Sequence, residues 1–208
     1  MKASSKRSNK LQGTVTCPGD KSISQRSVII GSLLDEDIQI SGFLFAEDPL
    51  STIGALRNLG HEIEIDDDVV LVKNSRKNIS DQKVSCNLGN SGTGFRLISG
   101  LIAGQEINAE LTGDDSLSKR PMNRIIKPLN EMGAKIESNK GCAPLIFNKS
   151  QLVKEFLYEM PIASAQLKSC LLLAAISSNM KLTLHENKVS RDHTERTVSY
   201  THLRAHET

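Results

Sequence analysis

The chain has 208 residues, of which 38% are hydrophobic and only 3% aromatic, so it can build one large domain or two small ones around an aliphatic core. Its 26 Lys and Arg residues nearly balance 24 Asp and Glu residues, and this balance, with the scarcity of aromatic rings, argues against a nucleic-acid partner. No stretch approaches the roughly 20 apolar residues of a membrane span, and the N terminus lacks the apolar core of a secretory signal, so we expect a cytoplasmic chain without a membrane partner.

The first distinctive segment covers residues 19–26. It opens on a Gly-Asp turn, and Ser22 or Ser24 suits the N-cap of the helix that the following apolar stretch predicts. A helix start offers free N–H groups to an anion, and Lys21 and Arg26 add positive charge. The segment is therefore a candidate site for a phosphorylated substrate, although a capped helix with solvated charges also fits it.

A strand and a second helix follow. Residues 37–42 form a strand-like run, and residues 49–59 carry apolar side chains at helical spacing. Pro49 lies near the predicted start of this helix, and Gly60 directly follows its last apolar residue, as a C-cap glycine does. Alternating Ile and Glu in residues 62–65 then predict a half-buried strand.

The second distinctive segment, residues 88–96, contains three glycines. Its GxxxxG pattern is followed by Phe95 and Arg96 where a nucleotide P-loop has Lys and Ser or Thr, so it fails as a P-loop. It still suits a phosphate- or carboxylate-binding nest at a helix start. An apolar helix, a strand at residues 106–113 and a second helix from Pro121, preceded by a basic pair, repeat the order of the first series. Gly133 directly follows the last apolar residue of this second helix, as a C-cap glycine does.

A third series begins at residues 161–168 and continues through an apolar stretch to a strand at residues 180–184. The spacing of about 71 residues identifies an internal repeat, in which Arg26, Arg96 and Lys168 fall in register. If the units are arranged symmetrically, their helix starts converge on one anion-binding locus.

The repeat also suggests an organisation for the chain. We place the repeats at about residues 19–85, 86–155 and 156–198, with residues 1–18 before them and residues 199–208 as a tail that is not native to the fold. The third repeat lacks the Leu-x-x-Leu-Gly segment of the others, so we expect about half of an enzyme, which should be poorly stable or sticky in isolation. His202 and His206 in the tail are four residues apart, but without a third ligand they do not predict a metal site.

Four cysteines stand at positions 17, 86, 142 and 170. They form no Cys-x-x-Cys pair, and no His lies at metal-ligand spacing from any of them. We expect free, mostly buried thiols in a reducing compartment. The cysteine beside the first distinctive segment could be reactive, but a packing role is favoured.

Five motifs in a fixed order carry a resemblance to a known family. They are Pro-Gly-Asp-Lys-Ser-Ile-Ser-Gln-Arg at residues 18–26, Gly-Asn-Ser-Gly-Thr at 89–93, Lys-Arg-Pro-Met at 119–122, Ala-Ser-Ala-Gln-Leu-Lys-Ser at 163–169 and Ser-Arg-Asp-His-Thr-Glu at 190–195. From about residue 11 to residue 197 the chain resembles the EPSP synthase family of enolpyruvyl transferases. The Ser-Ala-Gln and Arg-Asp-His-Thr-Glu forms resemble the bacterial class that tolerates glyphosate.

The resemblance implies an α/β (α+β) fold of two domains, each built from three βαβαββ units around a pseudo-threefold axis. The third unit would be truncated here, and the first strand, at about residues 11–17, would belong with a C-terminal domain that this chain lacks. The implied reaction transfers the enolpyruvyl group of phosphoenolpyruvate to the 5-hydroxyl of shikimate 3-phosphate, without a metal or an organic cofactor. Cations suit both anionic substrates, because they bind, orient and stabilise developing charge.

Ten residues are assigned to the substrates by the resemblance. Lys21 would contact both and is the catalytic residue within this chain. Shikimate 3-phosphate would be bound by Ser22, Arg26, Ser164, Gln166, Ser190 and Arg191. Phosphoenolpyruvate would lie near Asn90, Gly92 and Arg120, with Gln166 close by. Ala165 replaces a serine found in some members, which leaves one contact open.

The resemblance also predicts what the chain does not do alone. The family's acid/base carboxylates and further Lys and Arg ligands lie in its second half, so we expect no transferase activity from these 208 residues, and a monomer at full length. Tolerant members tend to carry alanine at the position of Gly92, and its methyl group crowds glyphosate. Glycine therefore predicts a sensitive full-length enzyme.

Two other interpretations stay open. The sister transferase that acts on UDP-N-acetylglucosamine shares the fold, but its first motif has Lys-Asn where this chain has Lys21 and Ser22, and it lacks the Arg-Asp-His-Thr-Glu segment. A non-catalytic anion-binding module could also use the repeat as a scaffold. Specific binding of shikimate 3-phosphate would favour the enzyme, and promiscuous phosphate binding would favour the module.

Overall fold

A computed structural model of the chain describes residues 3–6, 10, 12–74 and 82–200. Within these ranges the elements follow one repeated order. The first unit contains α1 (Lys21–Gly31), β1 (Ile38–Ser41), α2 (Glu47–Asn58), β2 (Ile63–Asp66) and β3 (Val69–Val72). The second contains β4 (Val84–Asn87), α3 (Gly92–Gln105), β5 (Ala109–Thr112), a 3-10 turn (Leu117–Lys119), α4 (Asn123–Glu131), β6 (Lys135–Asn139) and β7 (Cys142–Asn148). The third contains β8 (Glu155–Met160), α5 (Ala165–Ser178), β9 (Lys181–Glu186) and α6 (His193–Tyr200).

The strand pairing confirms the predicted α/β class and the repeated unit. In the second unit the strand order is β4-β5-β7-β6, and α3 crosses over between the parallel strands β4 and β5. In the third, α5 crosses over between the parallel strands β8 and β9. The first unit has the order β1-β3-β2, which matches β5-β7-β6. None of the described helices is long and apolar enough to cross a membrane.

Residues 12–20 lie before α1 in irregular, mostly exposed backbone. In the described part of the chain no strand lies at the outer edge of β1, where β4 lies beside β5 in the second unit. The first strand predicted at about residues 11–17 is therefore not formed in residues 12–17, and Leu11 lies outside the described residues. The assignment of this segment to a second domain stays a prediction, as do the domain boundaries. His202 and His206 also lie outside the described residues.

Both predicted C-cap glycines end their helices. Gly60, with φ of 95°, follows α2, and Gly133, with φ of 108°, follows α4. After α2, the N–H of Gly60 donates to the carbonyl of Arg57 and the N–H of His61 to that of Leu56, each at 3.0 Å. This is the Schellman arrangement, which needs a left-handed residue that glycine supplies at little cost.

Helices α3 and α5 form the centre of the core and run in backbone contact. A Cβ on Gly100 would overlap the carbonyl oxygen of Cys170, and one on Gly104 would overlap the carbonyl oxygen of Ala174. Because Gly100 meets Cys170 and Gly104 meets Ala174, the two helices run parallel and begin at the same end of the molecule. Glycine at both positions is what allows the starts of α3 and α5 to lie side by side.

All four cysteines are free, as expected. Burial raises the pKa of Cys86 to about 11 and the pKa of Cys170 to about 12, which keeps both thiols protonated and unreactive at neutral pH. Cys142 is half-buried. Cys17 is exposed, so the packing role favoured for it is wrong within this chain, because residues 12–20 do not join the core.

Candidate functional site

Helix α1 begins at Lys21 because Asp20 caps it. The Asp20 carboxylate accepts the N–H of Ile23 at 2.8 Å. The prediction that Ser22 or Ser24 caps this helix is wrong, because both lie inside the first turn. The Ser24 hydroxyl instead donates to the carbonyl of Asp20 at 2.8 Å.

Lys21 reaches from the start of α1 to the start of α2. Its Nζ lies 2.8 Å from Oδ2 of Asp48, and the two side chains are 54% and 22% exposed. Gln25, one turn further along, donates to the hydroxyls of Thr52 at 3.0 Å and Ser91 at 2.6 Å. Gln25 thus ties α1 and α2 to the residue that caps α3, which fixes Lys21 relative to the α3 start.

Helix α3 begins at Gly92, after the N-cap Ser91. A Cβ on Gly92 would lie 2.8 Å from Nη1 of Arg120 and 3.1 Å from Nη1 of Arg96. Both contacts are closer than ordinary van der Waals packing allows. Glycine at this position therefore makes room for two guanidinium groups of the chain itself.

Asn90 and Arg120, two of the predicted ligands, are held together by Asp114. Asn90 Nδ2 donates to Asp114 Oδ2 at 2.8 Å, and Asn90 Oδ1 accepts from Nη2 of Arg120. The N–H of Leu117, the first residue of the 3-10 turn that leads to Arg120, donates to Asp114 Oδ1 at 2.7 Å. The hydrogen bond from Leu117 lowers the pKa of Asp114; burial opposes this and the bond from Asn90 adds to it. The sequence analysis missed Asp114, because its bond to Asn90 joins residues 24 positions apart that only the tertiary structure brings together.

Arg96 is a further cavity residue that the sequence analysis did not assign. Its Nη1 donates to the carbonyl of Gly92 at 2.8 Å, while its buried Nε has no hydrogen-bond partner in the described structure. Burial lowers the pKa of Arg96, and the neighbouring charges of Arg124 and Arg120 lower it further. Its register with Arg26 and Lys168 was the sequence signal that could have identified it.

These groups surround a cavity of about 250 Å³. Its lining residues are Lys21, Asp48, Asn90, Gly92, Thr93, Arg96, Arg120 and Gln166. They come from the starts of α1, α2, α3 and α5 and from the segment after the 3-10 turn. Five of the ten predicted ligands therefore line one cavity, as expected if the helix starts converge.

Two predicted ligands come from the start of α5. Ser164 is the N-cap of this helix and accepts the N–H of Leu167 at 3.4 Å. Gln166 reaches α3, where its Nε2 donates to the Thr93 hydroxyl at 3.0 Å. Gln166 lines the cavity, whereas Ser164 is buried and is not among the lining residues.

Arg26 lies outside the cavity lining and is only 2% exposed. Its Nη1 donates to the carbonyl and the hydroxyl of Ser22 at 3.0 and 2.7 Å. Its Nε donates to Thr194 Oγ1 and its Nη2 to Ser169 Oγ, each at 2.8 Å. Four of the five guanidinium N–H groups thus donate to described residues, and one on Nη2 has no acceptor among them.

Ser190 and Arg191 lie in the segment between β9 and α6, also outside the cavity lining. The N–H of Ser190 donates to Oε1 of Glu186 at 3.0 Å, and Arg191 is exposed. Burial lowers the pKa of Arg26; the charge of Glu195 opposes this and that of Arg191 adds to it. The structure therefore places Ser22, Arg26, Ser190 and Arg191 in one neighbourhood beside α6, apart from the cavity residues.

The arrangement is suited to holding anions. Lys21, Arg96 and Arg120 bring three cations to the cavity against the single carboxylate of Asp48. The starts of α3 and α5 add N–H groups and the positive ends of two helix dipoles. In the part of the chain that the structure describes, no cluster of three or more His, Cys, Asp or Glu side chains could hold a metal ion.

Comparisons with known proteins identify the family of the chain. A family model described as EPSP synthase (3-phosphoshikimate 1-carboxyvinyltransferase) matches residues 5–200. The chain is 47% identical over 190 residues to the 3-phosphoshikimate 1-carboxyvinyltransferase of Vesicomyosocius okutanii subsp. Calyptogena okutanii (strain HA), covering 91% of this chain and 44% of that protein. It is 46% identical over 186 residues to the one of Thermoanaerobacter sp. (strain X514), covering 89% and 44%.

The solved structure of EPSP synthase from Acinetobacter baumannii is similar as well. It superposes with a TM-score of 0.79 at 40% identity, covering 90% of this chain and 43% of that one. The chain spans less than half the length of the relatives and structures that it matches. With a family model that matches nearly all of its described residues, the chain belongs to the EPSP synthase family.

Proposed function

We propose that this chain supplies one half of the site of a transferase that moves the enolpyruvyl group of phosphoenolpyruvate to the 5-hydroxyl of shikimate 3-phosphate, releasing phosphate. The observation that carries this proposal is the convergence of Lys21, Asn90, Gly92, Arg120 and Gln166 on one cavity. Its relatives bear the name of this activity. The enzyme would work in the cytoplasm, as a monomer at full length and without a metal or an organic cofactor.

The proposal includes two neighbouring anion sites. The cavity, with Asn90, Gly92 and Arg120, would take phosphoenolpyruvate. Beside it, shikimate 3-phosphate would be bound by Ser22, Arg26, Ser164, Gln166, Ser190 and Arg191. Lys21, half exposed at the cavity rim, would contact both substrates once it exchanges Asp48 for them. Arg26 would contribute through its remaining Nη2 N–H group.

Gly92 connects the proposal with glyphosate. A methyl group there would press on Arg120 and Arg96, so Gly92→Ala should shift both guanidinium groups. We infer that a full-length enzyme with Gly92 is sensitive to glyphosate, although two of its motifs resemble the tolerant class. Full activity of such an enzyme under millimolar glyphosate would contradict this inference.

The chain alone should be catalytically inactive. In the family the acid/base carboxylates and further phosphoenolpyruvate ligands come from the second half, and the cavity described here contains one carboxylate, Asp48, already paired with Lys21. Release of phosphate by the purified chain from a mixture of both substrates would contradict this expectation.

A calorimetric titration of the purified chain tests the proposed substrate. Shikimate 3-phosphate should bind, and shikimate or inorganic phosphate should bind at least about tenfold more weakly, because each offers only part of the charge and hydrogen-bonding groups. Arg120→Met should leave most of the shikimate 3-phosphate affinity and weaken phosphoenolpyruvate binding. Equal affinity for inorganic phosphate would favour a non-catalytic anion-binding module, and preferential binding of UDP-N-acetylglucosamine would favour the sister transferase.

A further inference from the structure

We propose that Lys168, Glu186 and Glu195 form a positioning network that sets the segment carrying Ser190 and Arg191 against Arg26. The inference rests on the proposed function, because it assigns these three residues to the shikimate 3-phosphate side of that site. It concerns residues that lie outside the cavity and outside the predicted ligand set.

The segment between β9 and α6 has little packing of its own. Residues 187–192 are exposed except for the half-buried Ser190, and Val189 is 94% exposed. A segment without a buried apolar side chain does not hold one conformation through the hydrophobic effect. Its conformation must be fixed at its two ends.

Glu186, the last residue of β9, fixes the first end. Its Oε1 accepts the N–H of Ser190 at 3.0 Å, and its Oε2 accepts from Lys168 Nζ at 2.9 Å. Burial acts to raise the pKa of Glu186, but hydrogen bonds from Ser190 and Lys168 outweigh it, so the net shift is downward. Glu186 is therefore an ionised acceptor that holds the Ser190 backbone directly.

Lys168 joins this first end to the second. Its Nζ lies 2.7 Å from Oε1 of Glu195, in the first turn of α6, and its side chain is only 9% exposed. Burial acts to lower the pKa of Lys168, but its bonds to Glu195 and Glu186 outweigh it and the net shift is upward. One ammonium group on α5 thus clamps the residues on both sides of the exposed segment.

The second end of the exposed segment, which is the start of α6, is also bonded to Arg26. Thr194, fully buried beside Glu195, accepts from Arg26 Nε at 2.8 Å and donates to Ser169 Oγ at 2.7 Å. Ser169 follows Lys168 in α5. The contact of Lys168 with Glu195 and the contact of Ser169 with Thr194 therefore lie on the same turn of that helix. A break in the Lys168 network should release Ser190 and Arg191 while the contact of Thr194 with Arg26 keeps α6 in place.

Amide hydrogen exchange, followed by NMR on the purified chain, tests the positioning role without a ligand. In Glu186→Gln, exchange at the Ser190 amide should rise about tenfold or more, because an ionised acceptor is lost, while the amides of β9 keep their rates. Glu155→Gln is the matched control, since Glu155 also pairs through a carboxylate with a lysine, Lys181 of β9, but the two side chains are 65% and 53% exposed. Unchanged exchange at Ser190 in Glu186→Gln would overturn the proposal.

Titration of the same variants with shikimate 3-phosphate tests the effect on binding. Glu186→Gln and Lys168→Met should weaken binding about tenfold, whereas Lys168→Arg, which keeps the charge and both acceptors, should restore it. Equal losses in Lys168→Arg and Lys168→Met would show a packing role and overturn the proposal. If Lys168→Met does not fold, Glu195→Gln, at the most exposed of the three positions, replaces it with the same expected direction.

The two experiments separate this inference from the proposed function. Failure of the unaltered chain to bind shikimate 3-phosphate would contradict the proposed substrate. The Ser190 exchange rate would still decide the positioning role.

Discussion

Arg26 and Lys168 occupy the same place in the repeat as Arg96, yet their surroundings differ. Arg26 and Lys168 are 2% and 7% exposed, and acceptors of the chain itself surround both charged groups. Arg96 lines the cavity, lies near Arg120 and Arg124, and keeps a buried Nε without a partner in the described residues. We call Arg26 and Lys168 internal clamps, because their charged groups bind acceptors that join different helices. We call Arg96 the open cation, because it lines the cavity.

Helix α6 accounts for the difference. It packs on α1 and brings Thr194 to Arg26 and Glu195 to Lys168, whereas Arg96 receives no acceptor from it. The helix caps contribute as well: Arg26, Arg96 and Lys168 lie six, five and four residues after Asp20, Ser91 and Ser164. Because one helical residue corresponds to a rotation of about 100°, the three residues lie at different angles around their helices relative to the caps. The position of a cation in the repeat therefore does not determine its role. The hydrogen-bond acceptors around the cation determine it.

Arg26→Met should give the largest effect on stability. It leaves the buried hydroxyls of Thr194 and Ser169 without a charged donor, so we expect the free energy of unfolding to fall by about 3 kcal/mol. Chemical denaturation measures this loss. Arg191→Met, which removes an exposed charge next to the same cluster, should change stability by less than about 0.5 kcal/mol. Equal midpoints for Arg26→Met and the unaltered chain would show that Arg26 is not a clamp.

Gly100→Ala should have the second-largest effect on stability. The free energy of unfolding should fall by about 2 kcal/mol, because the added methyl group overlaps the backbone of α5. Gly54→Ala is its control. Gly54 lies inside α2 with nothing within 4 Å of the added Cβ, so alanine there should stabilise the chain by several tenths of a kcal/mol. Opposite signs in the two thermal unfolding curves would confirm the contact between α3 and α5. A neutral Gly100→Ala would argue against it.

Arg96→Met tests the open cation. It should weaken phosphoenolpyruvate binding about tenfold, as expected for one lost charged hydrogen bond, yet leave the melting temperature unchanged or slightly raised. The melting temperature should not fall, because removing the charge of Arg96 also removes its repulsion with Arg120 and Arg124. Arg57→Met, outside the cavity, should leave binding unchanged. A large loss of stability in Arg96→Met would remove the distinction between Arg96 and Arg26.

The smallest expected effect is the loss of stability at acidic pH that comes from Glu186. The pKa of Glu186 is lowered from its ordinary value of 4.5, so its ionised form stabilises the fold above that value, and the contribution disappears as the pH falls through the lower folded pKa. Denaturation midpoints of the unaltered chain should therefore decline more steeply below about pH 4.5 than those of Glu186→Gln. Parallel curves for the two proteins would mean that Glu186 contributes no pH-dependent stability.

The sequence predicted the repeated unit and the meeting of helix starts, because both depend on local periodicity and on glycine signals such as Gly60 and Gly133. It also predicted the cavity residues Lys21, Gly92 and Arg120 through their motifs. The roles of Asp114 and Glu186 could not be predicted, because they depend on which side chains the tertiary structure brings within 3 Å. The cap of α1 was assigned wrongly, since Asp20 and the serines that follow it are all good capping residues and only the helix phase distinguishes them.

The contact of α3 with α5 through Gly100 and Gly104 has a consequence for mutational studies of the site. Gly100 lies about 12 Å along α3 from Gly92, well away from any ligand. The atoms nearest to a Cβ on Gly100 all belong to the backbone of Cys170, so no rotamer change can absorb a methyl group there and the two helices must move apart. Such a separation moves Gln166 relative to Gly92 and changes the span between the groups that would hold a substrate. A survey of binding defects should therefore detect Gly100 among the cavity residues, although Gly100 lies too far away to contact a bound molecule.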